Sequence, residues 1–253
     1  MIRFYYNNLL NDAAIQTSTE NAQFPKSNVR DERRSKVFRS TTNTDTMTLD
    51  FGVNEAIDSF FIVDNPQDGF GINTLSLSAS SVPTFTPDLL SAASVSLDNK
   101  FGQGFLSFNE ISARYFRLSA TSTLGYCELS NFFVGKEFRL KDDKSINFGW
   151  TYEESQIVNQ SVNKIGQRFS DLIGSQRKFT CSFTNLDKDH IEELNEMIDY
   201  VGTHRPFWIN IGCPSMNNEL PRFRGMVYLD SIPRFTNTFF NRYQTSLTMS
   251  EAR

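Results

Sequence analysis

Short stretches that alternate apolar and polar residues recur along the first half of the chain. The stretch "TMTLDF" places Met47, Leu49 and Phe51 on one side of an extended chain and three polar residues on the other. "NTLSLSAS" (73–80) alternates in the same way. A two-residue period is typical of a half-buried β-strand. We therefore predict a series of short strands, of which the first clear one ends at Gly52.

The neighbouring stretches complete this prediction. "IDSFFIVDN" (57–65) is denser in apolar residues, as expected of a strand covered on both faces. Further strand-like runs follow, separated by Pro, Gly, Asn and Asp: "ASVSLDN", "GFLSFNEI", "ARYFRLSA" and "CELSNFFVG". Residues 1–46 are polar and are interpreted as an irregular N-terminal arm. Short strands with turn residues between them favour an antiparallel sandwich over a βαβ fold.

The pattern restarts after Lys136. "INFGWTY" (146–152) alternates, and "FTCSF" (179–183) resumes the alternation after a long polar segment, 153–178. A passive loop of that length is unusual, so the segment predicts an extended hairpin or a mobile excursion. The runs "RPFWINIG", "RFRGMVYLD" and "RYQTSLTMSEA" predict three more strands.

One helix is predicted, over residues 187–201. Asp187 is a suitable N-cap, and acidic residues follow it in the first turns, where they complement the helix dipole. Ile191, Leu194 and Ile198 recur at helical spacing, and Gly202 is a suitable terminator. We predict an all-β chain with this one helix and two domains, 1–136 and 137–253, divided where the composition changes near Gly135.

Composition excludes several classes of function. The chain has 253 residues and a net charge of -4, and its 25 basic residues are scattered. Nucleic acid as the main ligand is disfavoured, because phosphate binding needs clustered Lys and Arg. No apolar run has the roughly 20 residues of a membrane span, so we expect no membrane insertion. The N-terminus does not resemble a signal peptide.

Cysteine and histidine usage adds two expectations. Cys127, Cys181 and Cys213 are odd in number and widely spaced, which indicates reduced thiols in a chain that matures in a cytosol. His190 and His204 are the two histidines, and no CxxC pair accompanies them, so a zinc site is not expected.

Other polar residues were considered as sites. Asp64 and Asp68 lie in "DNPQDGFG", which resembles a calcium loop, but the alternating ligands and distal Glu of an EF-hand are absent. We interpret it as a turn whose own side chains satisfy its backbone hydrogen bonds, and a bound metal ion stays an alternative there. The adjacent carboxylates Asp142-Asp143 and Glu153-Glu154 point to opposite faces of a strand, so neither forms a glycosidase pair.

The histidines also lack a catalytic context. His190 is expected to be an exposed polar residue in the first helical turn, and His204 lies at a loop entry. No GxSxG nucleophile motif occurs. We predict no enzyme, no cofactor, and no catalytic, cofactor-binding or metal site.

Two features of the composition bear on assembly. The polar segment 153–178 contains four scattered cations: Lys164, Arg168, Arg177 and Lys178. They would either face a lumen or a neighbouring subunit, or keep a solvated loop soluble. The chain has 24 Phe. Consecutive rings in "NFF" (131–133) and "FFNRY" (239–243) point to both faces of a strand, so one of each pair must meet another domain or subunit, or lie exposed. The Phe residues expected in the cores are Phe51, Phe61, Phe116, Phe179, Phe183 and Phe207.

The first half resembles the discoidin or galactose-binding-like jelly-roll sandwich. The matching pieces are "SKVFRST", "MTLDFGVNEAIDSFFIVDN", "INTLSLSAS" and "ARYFRLSA" with "GYCELSNFFVG", over roughly residues 30–136. The chain departs from the family at Phe38, where Trp is usual, and its loops lack the aromatic and Arg/His sets that hold sugars.

The second half resembles the tail-tube and distal-tail proteins of bacteriophages. The shared order is a strand, a long polar excursion, a strand, an acidic helix, "PFWINI", "GMVYLDSIPRF" and a last strand ending "TMSEA". The resemblance implies a sandwich or barrel with a long hairpin and a ring of subunits, hexameric by analogy, with a lumen that passes DNA.

Together the two resemblances imply a structural virion protein of a phage tail tip or baseplate. Its ring would link the tail tube to the receptor-binding or baseplate apparatus, and its partners would be copies of itself, the tail tube protein, and the tail hub or tape measure. It would assemble in the bacterial host cytoplasm. The alternative is a carbohydrate-binding module that recognises host cell-surface glycans.

Overall fold

A computed structural model of the chain describes residues 2–33, 35–63, 72–86, 89–98, 102–140, 147–212 and 221–252. These residues form one α-helix, α1 (Lys188–Val201), three short 3-10 helices and the following strands: β1 Ile2–Tyr5, β2 Ala14–Thr17, β3 Phe38–Arg39, β4 Thr44–Val63, β5 Thr74–Ser80, β6 Leu90–Ser94, β7 Ser96–Asp98, β8 Gln103–Thr121, β9 Glu128–Leu129, β10 Phe132–Gly135, β11 Asn147–Val162, β12 Arg168–Leu186, β13 Phe207–Ile211, β14 Arg224–Leu229, β15 Thr236–Phe239 and β16 Arg242–Glu251. The prediction of an all-β chain with one helix is confirmed.

The chain groups into two compact units. The sandwich unit comprises Ile2–Phe138 and Trp208–Gly225, and the hairpin unit comprises Arg139–Phe207 and Met226–Ala252. The first segment of the sandwich unit ends close to the predicted division after residue 136. The assignment of Trp208–Gly225 was not foreseen, because β13 pairs with β1, about 200 residues earlier in the chain. Independent folding of the two predicted domains stays a prediction.

The sandwich unit is built on one antiparallel sheet with the strand order β10–β4–β8–β5–β6, to which β2 and β7 add at β4 and β8. A small sheet of β3 and β9 accompanies it. The buried core cluster includes Phe38 and Leu129 from the small sheet and Phe60, Phe116 and Leu77 from the large one. This is the sandwich that the alternating stretches predicted.

β4 runs straight through the glycine that was expected to end it. Gly52 has a φ of +79°, and its N–H donates to the Asp50 carboxylate at 2.8 Å. The pairing of β4 with β8 shifts register between Asp50 and Glu55 and then continues to Val63. The predicted strand end at Gly52 is therefore wrong, because the glycine forms an irregularity inside a strand of 20 residues.

The prediction that the N-terminal residues 1–46 are irregular is also wrong where they form β1, β2 and β3. β1 pairs with β13, and β2 pairs with β4. Tyr5 of β1 is fully buried, with ring centroids 4.9 Å from Phe61 and 5.6 Å from Phe133. Phe61 also lies 5.3 Å from Trp208 of β13. These rings cover the second face of β4, which explains why its end was so rich in apolar residues.

The hairpin unit contains an antiparallel sheet with the order β14–β16–β12–β11, and β15 adds at β16. Phe179, Cys181 and Phe183 of β12 are buried, as their alternation predicted. α1 begins after the Asp187 N-cap and ends at Gly202. Its buried side chains are His190, Leu194, Met197, Ile198 and Val201. The predicted helix is confirmed.

Candidate assembly surface

The long polar segment forms the outer part of a two-stranded hairpin. β11 and β12 pair from Asn147↔Thr184 to Val162↔Arg168, whereas β16 pairs with β12 only as far as Lys178. In the part of the chain that the structure describes, residues 155–176 therefore pair only with each other. We call residues 155–176 the arm. Of the two structures that the sequence left open for this segment, the extended hairpin is the one observed.

The turn of the arm is encoded locally. The Asn163 carboxamide oxygen accepts from the backbone N–H of Ile165 at 3.1 Å and of Gln167 at 2.9 Å. The Gly166 N–H donates to the Asn163 carbonyl at 3.0 Å, and Gly166 has a φ of +82°. Asn at the first turn position and Gly at positive φ are typical of short hairpin loops. The arm therefore has a defined end.

The arm exposes apolar side chains on both faces. Cross-strand partners share a face, so Val158, Val162 and Leu172 lie on one face and Ile157 and Phe169 on the other. Leu172 is 63% exposed, and Phe169 is 51% exposed. Ile173 occupies a bulge opposite the Ile157/Val158 step, and Ile165 lies in the turn. In this conformation the arm has no hydrophobic core of its own.

A buried ion pair lies where the arm joins the sheet. The Arg177 guanidinium is 2.7 Å from Glu251 Oε1, and the Arg177 backbone N–H donates to Glu251 Oε2 at 3.3 Å. Both side chains are less than 10% exposed. Both interpretations of Arg177, as a cation that faces a lumen or a neighbouring subunit and as one that keeps a loop soluble, are therefore wrong. The sheet continues through Arg177 and buries it against β16.

The other three cations of this segment are exposed. Lys164 lies in the turn, and Arg168 begins β12 and donates to the Gln160 side chain. Lys178 lies 3.5 Å from Asp230, with its side chain 46% exposed. Lys164 and Arg168 thus place positive charge at the free end of the arm.

The candidate catalytic residues are dispersed. Glu153 and Glu154 are exposed on β11, and His204 is exposed after α1. His190 was expected to be exposed, and that expectation is wrong: it is 4% exposed, with Nδ1 2.7 Å from Asp187 Oδ1. The helix cap draws the imidazole inward. Asp64, Asp68, Asp142, Asp143 and Cys213 lie outside the described residues.

The two described cysteines are buried and free. Burial raises the pKa of the Cys127 thiol, and it raises the pKa of Cys181 to about 12. Both therefore remain protonated and unreactive near neutral pH.

The consecutive aromatic pairs behave differently from each other. Phe132 and Phe133 are both fully buried within the sandwich unit, where Phe133 contacts Tyr5, so the expectation of an uncovered or externally covered ring at "NFF" is wrong. Phe239 and Phe240 are 75% and 81% exposed at the turn between β15 and β16. The remaining core predictions hold for Phe61, Phe116, Phe179, Phe183 and Phe207, whereas Phe51 is half-buried.

Sequence reasoning missed the apolar residues of the arm. Ile157, Phe169, Leu172 and Ile173 are embedded among Ser, Gln and Asn, so the whole segment looked polar. The available signal was strand propensity: β-branched and aromatic residues spaced on both sides of the Asn163–Gly166 turn.

Two kinds of feature are absent from the described residues. No helix there is long and apolar enough to cross a membrane. No cluster of three His, Cys, Asp or Glu residues in the same part of the chain is placed to hold a metal ion.

Comparison with known proteins shows similarity in fold. No protein-family model and no curated protein sequence matches this chain. The family 32 carbohydrate-binding module of Clostridium perfringens NanJ, solved in complex with galactose, matches with 12% identity and a TM-score of 0.44, covering 55% of this chain and 100% of that chain. A chitosan-binding module from Paenibacillus sp. IK-5 matches with 17% identity and a TM-score of 0.41, covering 51% and 99%. A Ruminococcus gnavus GH29 fucosidase matches with 17% identity and a TM-score of 0.47, covering 54% of this chain and 28% of that chain.

Proposed function

We propose that this chain is a structural subunit that assembles with copies of itself, as a ring-forming component of a virion tail tip. In this role it joins a tail tube to a baseplate or receptor-binding apparatus. The order of elements in the second half of the sequence supports the tail assignment by resemblance. The observation that carries assembly is the arm, because it exposes apolar side chains on both faces.

The physical argument concerns the stability of the arm. An isolated two-stranded hairpin is at best marginally stable in water, and soluble monomers rarely expose large contiguous apolar patches. Phe169, Leu172 and Ile173 are each more than half exposed. Contact with another subunit would bury these side chains, which contributes a favourable free energy of about 25 cal/mol per Å² of apolar surface. The same contact would stabilise the hairpin. Among the described residues, β11 is also an edge strand of its sheet, which a neighbour can extend.

Mass photometry and multi-angle light scattering test this proposal. The wild-type chain is expected to form oligomers, seen as rings with a central channel by negative-stain electron microscopy. Replacing three arm side chains together (Phe169→Ser, Leu172→Ser, Ile173→Ser) is expected to give monomers. Because all three side chains are exposed and lie outside the shared sheet, the circular dichroism spectrum is expected to lose at most the strand signal of the arm.

Val53→Ser is the matched control. Val53 is 61% exposed in the sandwich unit, close to the 63% of Leu172. This variant is expected to assemble like the wild type, which separates a specific arm contact from general surface hydrophobicity. A wild-type chain that stays monomeric at high concentration would refute the proposed function.

Carbohydrate binding by the sandwich unit is the second candidate function. The observation in its favour is a surface group of Asp50, Arg114 and Tyr115, since sugar sites combine an aromatic ring with charged hydrogen-bonding groups. Arg114 Nε lies 2.7 Å from Asp50 Oδ1, and the guanidinium lies 5.0 Å from the Tyr115 ring centroid. A sugar would have to displace this guanidinium from the ring, so we rank this function second.

Calorimetric titration with galactose, N-acetylgalactosamine, fucose and chitosan oligomers separates the two functions. A structural ring subunit is expected to show no saturable heat with any of them. Saturable binding that is lost in Tyr115→Ala and kept in the arm variant would favour the carbohydrate-binding function.

A further inference from the structure

A second exposed apolar feature lies at the turn between β15 and β16. Asn241 has a φ of +52°, a conformation that Asn adopts more readily than most residues, and Thr238 Oγ1 donates to the Arg242 carbonyl at 3.3 Å. This turn presents Phe239 and Phe240 side by side, each at least three-quarters exposed. We call residues 239–240 the Phe tip.

The arm and the Phe tip lie near opposite ends of β12. Tyr243, which follows the Phe tip, pairs with Leu186 at the last residue of β12, whereas the arm occupies the first half of β12. At about 3.3 Å per residue, roughly 60 Å of β12 separates Leu186 from Arg168. One copy of the chain therefore cannot cover its own arm with its own Phe tip.

Charge distinguishes the two ends. α1 begins at the Leu186 end of β12, and Arg242 directly precedes Tyr243, the strand partner of Leu186. The exposed acids of α1 are Asp189, Glu192, Glu196 and Asp199, opposed by Lys188. At the start of α1, four carboxylates (Asp187, Asp189, Glu192 and Glu193) stand against three cations (Lys188, Arg234 and Arg242). The free end of the arm carries Lys164 and Arg168 against Asp171.

We propose that the arm of one copy docks on the Phe tip and the acidic start of α1 of the next copy. This inference rests on the proposed function, because it requires that copies assemble, and it assigns the two surfaces that meet. The contact is heterologous: each copy donates an arm at one end and accepts an arm at the other. The arm offers about 20 residues, which is the number that one side of a standard protein interface contributes.

The test uses two defective variants, alone and mixed. The arm variant (F169S/L172S/I173S) keeps an intact Phe tip, and the tip variant (F239S/F240S) keeps an intact arm. Each alone is expected to be monomeric. An equimolar mixture has one intact pair of surfaces, so mass photometry is expected to show 1:1 heterodimers and no larger species. Differential fluorescent labelling identifies the two members.

The outcomes separate this inference from the proposed function. If the tip variant alone assembles like the wild type, or if the mixture stays monomeric, the arm meets another surface and the inference is overturned while assembly stands. If the wild type itself is monomeric, the proposed function fails first. Binding of phosphatidylglycerol vesicles that the tip variant loses, with its oligomers unchanged, would assign the Phe tip to a membrane and overturn the inference.

Charge reversal provides an independent measurement. K164E/R168E leaves every apolar side chain of the arm in place, so folding is not at risk. We expect it to dissociate at a subunit concentration at least tenfold higher than the wild type at 50 mM salt, with the difference shrinking as salt screens the charges. An unchanged dissociation concentration at 50 mM salt would contradict the assigned acidic partner surface.

Discussion

At the residue scale, the segment that joins the arm to the sheet shows how burial changes the role of a charged residue. Arg177 and Lys178 are adjacent in sequence, and the sequence left open whether both face a lumen, a neighbouring subunit or solvent. The strand alternation turns Arg177 inward against Glu251 and leaves Lys178 at the surface near Asp230. Sequence pattern alone could not distinguish them, because the partner of Arg177 is 74 residues away.

This difference predicts that replacing Arg177 destabilises the protein more than replacing Lys178. Arg177→Met leaves the Glu251 carboxylate buried without the Arg177 guanidinium and is expected to lower the free energy of unfolding of the hairpin unit by about 3–5 kcal/mol. Lys178→Met removes a partly exposed ion pair and is expected to cost less than about 1 kcal/mol. Urea denaturation followed by Trp fluorescence measures both. An equal loss of unfolding free energy in the two variants would show that the Arg177–Glu251 ion pair stabilises the fold no more than a surface pair does.

At the element scale, α1 is the part of the molecule that sequence predicted most fully. Its start, end and apolar spacing are local properties, so Asp187, Leu194 and Gly202 could be assigned without knowing the fold. The strands were less predictable. Gly52 looked like a terminator because the continuation of β4 depends on its pairing with β8, and β1 was missed because its partner is β13.

The helix cap gives a prediction with a defined pH dependence. The hydrogen bond from the His190 backbone N–H holds the pKa of the Asp187 carboxyl below its usual value. Because the pKa is lower in the folded state, the cap stabilises the protein above the unfolded pKa of about 4 and loses that contribution as pH falls through the folded pKa. Asp187→Ala is expected to cost about 1 kcal/mol at pH 7.

Asp187→Asn is the informative companion, because Asn caps helices as well as Asp does but does not titrate. Its free energy of unfolding is expected to stay near the wild-type value at pH 7. Comparing chemical denaturation of the two proteins between pH 7 and pH 3, the wild type should lose more stability than the Asn variant. An identical pH profile would argue against the carboxylate as the source of this dependence.

At the scale of the whole molecule, sequence predicted what local patterns encode and missed what distant pairing decides. The sandwich core around Leu77 and Phe116 followed from the strand pattern. The extended hairpin was one of the two structures that the length of its segment left open. The sequence pattern did not predict that Trp208–Gly225 belongs to the sandwich unit. It also did not predict the exposure of Phe169 and Leu172, because the burial of a hairpin residue depends on which neighbouring strand is present.

The continuity of β12 from arm to sheet has a geometric consequence for any assembly. Strands twist with a fixed hand, so the coiling of this one strand sets the rotation between the donating and accepting ends of a subunit. A rotation that divides evenly into a full circle closes the assembly, and any other value produces an open helical filament. Inserting one residue into β12 after Gln176 would move the side chains of the arm to the opposite face of the strand relative to those at the Leu186 end. This insertion is expected to convert closed particles into fibres or single subunits.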